Sequence, residues 1–105
     1  MKFQITTVPD SNVLRLAGDL DIYSVESARD ALLAHLADKP GIDLELDGVE
    51  TCDTAGMQLL LAARRSAVAL GKTFAIRAPV PAIEQCGRSL GLGPESLQPH
   101  IPGSL

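Results

Sequence analysis

The sequence predicts an α/β domain: a small mixed four-stranded β-sheet in the order β-β-α-β-α-β-α, with helices mainly on one face. Three observations lead there. Two strand-like runs stand close together near the start, separated by the turn-rich Pro9-Asp10-Ser11-Asn12. Segments with helical spacing then alternate with short strands, which calls for right-handed crossovers and parallel pairing. Finally, Ile42-Asp43-Leu44-Glu45-Leu46-Asp47 alternates strictly between apolar residues and carboxylates, so one sheet face carries helices and the other faces water. A doubly wound sheet would bury both faces, and its strands would be apolar throughout.

The elements follow in order. Phe3 to Val8 is the first strand, and Val13 to Ala17, ending at Gly18, is the second, antiparallel to it. Ser24 stands where it can cap a helix to about Ala37, with Val25, Ala28, Leu32 and Leu36 recurring on one face. Lys39-Pro40-Gly41 stops it. The third strand is Ile42 to Asp47. A helix runs from about Thr54 to Leu70 and ends at Gly71. Thr73 to Arg77 is the fourth strand, and Pro81 to Leu90 a shorter helix with Ile83, Cys86 and Leu90 aligned. One domain over residues 1–92 is expected, followed by a loosely ordered tail, 93–105, holding about one turn of helix.

At 105 residues, 46% hydrophobic and 21% charged, the chain can build one core without staples. A net charge of −4 argues against nucleic acid, which needs concentrated positive charge, and 3% aromatics supply no base-stacking platform. The start, MKFQITTVPD, has no apolar signal core and no segment reaches membrane-spanning length, so a cytoplasmic protein without direct membrane insertion is expected. Cys52 and Cys86 fit no metal or redox spacing and read as small buried apolar residues, with a cross-link between them left open.

Enzyme chemistry is not visible. His35 reads as a half-exposed helix residue and His100 lies in the tail, neither with a triad partner nearby in sequence. No His, Cys or carboxylate cluster has metal-ligand spacing, and no glycine loop would cradle a phosphate. A binding module without catalytic residues, metal or cofactor is the expectation.

The stretch Cys52-Asp53-Thr54-Ala55-Gly56-Met57 places two good N-cap residues at the front of a helix, then a glycine in its first turn. That glycine costs about 1 kcal/mol relative to alanine. It serves either close backbone packing or a clear approach to the helix end. On a helical wheel, Leu59, Leu60, Ala63, Ala67 and Leu70 form the core face. Met57, Leu61 and Val68 form a second stripe bordered by Gln58, Arg64 and Arg65. Such a stripe is either a partner-binding strip or the mark of a helix wedged between two neighbours.

Gly18-Asp19-Leu20-Asp21, with "DLELDGVETCDTAGMQLLLAARRSAVALGKTFAI", resembles the STAS domain of bacterial anti-sigma-factor antagonists, over the chain from the first strand to Leu92. Asp53-Thr54-Ala55-Gly56 is similar to that family's Asp-Ser/Thr-x-Gly signature. The resemblance implies an antagonist-like fold and a phosphorylation switch. The hydroxyl residue after the aspartate is modified by a Ser/Thr kinase that doubles as the anti-sigma factor, and only the unmodified antagonist binds it. Carried over, Thr54 is the acceptor, with Asp53 beside it on the same surface; together with the second stripe of the helix, the expected partner surface comprises Asp21, Asp53, Thr54, Gly56, Met57, Gln58, Leu61, Arg64 and Arg65. The segment also looks like STAS proteins of chemotaxis-type signalling. A further alternative is the small STAS subunit of phospholipid-transport ABC systems, in which an Asp-Thr-x-Gly motif contacts the transporter ATPase.

Overall fold

The structure, a computed structural model, describes residues 2–77 and 80–103. Four strands, β1 (Gln4–Thr7), β2 (Val13–Leu20), β3 (Gly41–Cys52) and β4 (Thr73–Arg77), form one sheet in the order β1-β2-β3-β4. β1 is antiparallel to β2, and β2, β3 and β4 are mutually parallel. Helices α1 (Val25–Asp38), α2 (Thr54–Ala69) and α3 (Pro81–Ser89) connect and follow the parallel strands. This is the mixed α/β architecture that the alternation in β3 predicts.

The hairpin between β1 and β2 is closed by side chains at its turn. Ser11 Oγ donates to the Val8 carbonyl at 2.7 Å and accepts from the Val13 amide at 3.2 Å. Asp10 takes a left-handed φ of 57°, which a short polar side chain tolerates.

One sheet face carries Leu14, Leu16, Leu20, Ile42, Leu44, Leu46 and Phe74, all buried beneath Leu32 and Leu36 of α1 and Leu60 and Ala63 of α2. The opposite face is charged. Thr6, Arg15, Glu45 and Arg77 lie in one row across the four strands. Arg15 donates to Glu45 Oε1 from Nε at 3.1 Å and from Nη2 at 3.0 Å, and Arg77 Nε donates to Asp43 Oδ2 at 2.7 Å. Asp43 and Glu45 are therefore half-buried among arginines, while Asp47 is exposed to water.

β3 is twice the expected length. Its pairing with β2 slips between Arg15 and Ala17, and again between Gly18 and Asp19, leaving extra residues in β3 each time. These bulges break the alternation after Asp47, yet the ladder continues to Leu20↔Cys52.

α2 ends at Ala69 rather than Leu70, and Leu70 is 57% exposed instead of lying in the core. Gly71 (φ 67°) terminates the helix, its amide donating to Val68 O while the Lys72 amide donates to Ala67 O. That is the Schellman pattern, which needs a left-handed residue and so favours glycine. Leu90 just after α3 is likewise exposed, outside the apolar line through Ile83.

His35 is a further correction. It is 6% exposed, with Nε2 donating to the Asn12 carbonyl at 2.9 Å, so it pins α1 to the hairpin turn. Past α3, Pro94–Leu97 forms a 3-10 turn, and His100 exchanges backbone hydrogen bonds with Phe74 at 2.8 and 3.0 Å. Residues 104 and 105 of the expected tail lie outside the described residues.

Candidate partner-binding site

Parallel pairing brings the ends of β2 and β3 to the same edge, with Asp19 opposite Thr51 and Leu20 opposite Cys52. The β2–α1 loop and the start of α2 therefore meet. The Asp53 amide continues the ladder by donating to the Leu20 carbonyl at 3.2 Å.

Asp53 caps α2 and ties the two segments together. Its Oδ1 accepts from the Gly56 amide at 3.0 Å, and its Oδ2 accepts from the Ile22 amide at 3.3 Å. The β2–α1 loop is fixed by its own polar residues as well. Asp21 Oδ1 accepts from the Tyr23 amide at 2.9 Å. Ser24 Oγ donates to the Asp19 carbonyl at 2.8 Å and accepts from the Asp21 amide at 3.1 Å. Ser24 occupies the N-cap position of α1, but its hydroxyl serves this loop rather than the helix amides.

The result is a held loop that presents two apolar side chains to solvent. Ile22 is 66% and Tyr23 93% exposed. Neither was singled out by the sequence reading. The signal was available in Asp21-Ile22-Tyr23-Ser24, two large apolar residues inside a turn whose flanking residues are both hydrogen-bonding turn formers.

Thr54, the first residue of α2, is exposed, and its side chain makes no hydrogen bond among the described residues. The amides of Thr54 and Ala55 are also unpaired among the described residues, because the Asp53 carboxylate takes Gly56 and the Asp53 carbonyl takes Met57. This end of the helix thus offers free donors and partial positive charge to an anion.

Gly56 has a packing role. A Cβ there would lie 2.5 Å from the Leu20 carbonyl oxygen and 3.0 Å from Cys52 Sγ, so the helix can approach β2 only through a glycine. It is buried and does not form part of the outer surface.

Along α2, Thr54, Gln58, Leu61, Arg65 and Val68 follow one another at helical spacing on the outer side. Gln58, Arg65 and Val68 are exposed and Leu61 is half-buried. Met57 does not belong to that stripe. It is 1% exposed and faces α3, where a Cβ on Gly87 would sit 3.6 Å from its Cε. At Met57 the helix is indeed wedged between two neighbours. Arg64 is half-buried, and its Nε donates to the Gln98 carbonyl at 2.9 Å, which occupies it in holding the C-terminal segment.

A groove of about 440 Å³ runs beside Thr54, with Glu50, Thr51 and Asp53 on one wall and Ala82, Gln85 and Ser89 of α3 on the other. Cys52 and Cys86 also line it. Burial, then the neighbouring Cys86 thiol, push Cys52 up to about 12. Asp19 is held below the usual carboxylate range chiefly by the Thr51 hydroxyl, which donates to its Oδ1 at 2.8 Å. A second cavity, about 350 Å³, lies between α3 and the C-terminal segment and is lined largely by Met57, Ile76, Ile83, Leu92 and Leu97.

Among the described residues no group of His, Cys and carboxylates could hold a metal ion, and no helix is long and apolar enough to cross a membrane.

Comparison with known proteins agrees with this geometry. A family model described as the Mlab STAS domain matches residues 3–99. Among solved structures, the anti-sigma factor antagonist SpoIIAA in its unphosphorylated form is 25% identical, with a TM-score of 0.64. That match covers 89% of this chain and 84% of the other. No curated protein matches the sequence significantly.

Proposed function

The chain belongs to the STAS domain family, and on that premise we propose a cytoplasmic, non-enzymatic regulatory module resembling the anti-sigma-factor antagonists. In this reading a partner, a Ser/Thr kinase acting as an anti-sigma factor, docks over the N-terminal end of α2, and phosphorylation of Thr54 switches it off. The observation that carries the proposal is Thr54 itself: an exposed hydroxyl without a partner among the described residues, beside the apolar pair Ile22 and Tyr23.

The switch has a simple physical basis. A phosphate on Thr54 adds about −1.5 to −2 charges at neutral pH. The unpaired amides at the helix end tolerate that charge locally, so the fold survives. A partner that covers Ile22 and Tyr23 would instead have to bury a hydrated dianion beside Asp53, so it dissociates. Asp21 acts through the loop it shapes, and Gln58, Leu61 and Arg65 extend the surface along α2.

The second reading is an accessory subunit docking on the ATPase of a phospholipid-transport ABC system. The match to the Mlab STAS model and the threonine in Asp-Thr-x-Gly favour it. Purification of the tagged protein from its own cells, with identification of what co-purifies and phosphosite mapping, separates the two. A kinase with phosphate on Thr54 supports the switch. An ABC ATPase with Thr54 unmodified supports the transporter reading and overturns the switch.

A further inference from the structure

We propose that Cys52 and Cys86 form a modification site, an oxidisable thiol pair at which a hydroperoxide closes an intramolecular disulfide between the β3–α2 junction and α3. They are the only cysteines in the chain, and both are free and half-buried. Their side chains line the same groove, and Cys86 stands close enough to help push the Cys52 thiol up, while Cys52 Sγ donates to the Asp53 carbonyl at 3.5 Å. Cys52 sits where β3 hands over to α2, its Sγ within 3.0 Å of the space left open by Gly56. Cys86 belongs to the last turn of α3, facing it across the groove. Two thiols on different elements, brought to one groove that opens onto solvent, are placed for exchange chemistry.

The chemistry balances with a hydroperoxide as the oxidant. Either thiol can make the first attack. Its thiolate attacks one peroxide oxygen: the S–O bond forms, the O–O bond breaks, and the leaving oxygen takes up the proton given up by the thiol. That cysteine is left as a sulfenic acid. The Sγ of the other cysteine then attacks that sulfur, the S–S bond forms and the S–O bond breaks. The departing hydroxide takes the second thiol's proton and leaves as water. The two sulfurs together lose two electrons and the peroxide gains two. With hydrogen peroxide, the products are one disulfide and two waters.

The cross-link lies across the groove flanking Thr54 and would fix α3 to the joint on which the start of α2 is mounted. Its formation does not depend on the reading of Thr54 as a switch, so either can fail alone.

The test treats the folded, full-length protein with hydrogen peroxide, then measures intact mass, free thiols and non-reduced peptides. The expected product is a monomer lighter by two hydrogens, containing a Cys52–Cys86 linked peptide. Its free-thiol titre falls from two to zero and is restored by dithiothreitol. In Cys52→Ser and in Cys86→Ser, each of which leaves one thiol without its partner, the sulfenic acid on the remaining cysteine should persist long enough for dimedone to trap it. Three results would overturn the proposal: oxygen added to either sulfur of the wild type without a cross-link, covalent dimers in place of the internal disulfide, or two free thiols surviving a dose that oxidises free dithiothreitol.

Discussion

The carboxylate of Asp53 accepts a hydrogen bond from the amide of Ile22 at 3.3 Å, joining residues 31 positions apart while its other oxygen caps α2. One side chain thus holds the loop that exposes Ile22 and Tyr23 and the helix end that exposes Thr54. Asp53→Ala should cost about 1–2 kcal/mol, the range for losing an N-cap, with part of the loss from the loop. Urea unfolding measures the cost. Faster hydrogen exchange at the Ile22 and Gly56 amides would show that both bonds are lost together.

Gly56→Ala places a methyl group 2.5 Å from a backbone oxygen that cannot swing aside. Helix propensity alone would favour alanine by about 1 kcal/mol. Overpacking wins, and we expect a net loss of about 1–3 kcal/mol in denaturant unfolding.

Met57→Ala should destabilise the fold by about 2–5 kcal/mol through the cavity it leaves between α2 and α3. Gln58→Ala, one residue along and exposed, should change stability by less than about 0.5 kcal/mol. Thermal or urea melts of the two variants side by side check the assignment of Met57 to the core.

Cys52 gives the fold a dependence on alkaline pH. Its thiol is raised from 9.0 to about 12, mainly by burial, so the folded state holds a proton that the unfolded chain releases. The contribution is fully present below pH 9.0 and is lost progressively between 9.0 and about 12. Urea midpoints measured under reducing conditions should therefore fall more steeply above pH 9.0 in the wild type than in Cys52→Ser.

Tyr23→Ala should leave the melting curve nearly unchanged, because a side chain 93% exposed packs against little. Its expected effect is on partner binding, as removal of an aromatic anchor at the edge of an interface. Equal capture by the wild type and Tyr23→Ala would remove the β2–α1 loop from the docking surface.

The element order and the sheet face that carries the helices were legible because Ile42 to Asp47 and α1 carry clean periods, and periodicity reports which face of an element is apolar. What it does not report is which neighbour lies against a second face. Met57 and Leu61 look alike on a helical wheel, yet α3 covers the first and leaves the second half-open. His35 was misjudged for a similar reason, since the Asn12 carbonyl that satisfies it is 23 residues away. The second half of β3 was hidden by its bulges, which scramble the alternation while the backbone ladder with β2 persists. At the site, Asp53 and Thr54 stood out as adjacent capping residues. The apolar pair Ile22 and Tyr23 was legible inside its turn, and the parallel pairing of β2 with β3 is what sets that turn against Asp53.

The most direct measurement is the affinity of a co-purified partner for the wild type and for Thr54→Glu, with circular dichroism confirming that both are folded. If charge at Thr54 controls the surface, the spectra stay unchanged and the Kd for Thr54→Glu is weaker by at least about tenfold, about 1.4 kcal/mol. Equal affinities, with both proteins folded, would contradict the claim that charge at Thr54 controls this surface.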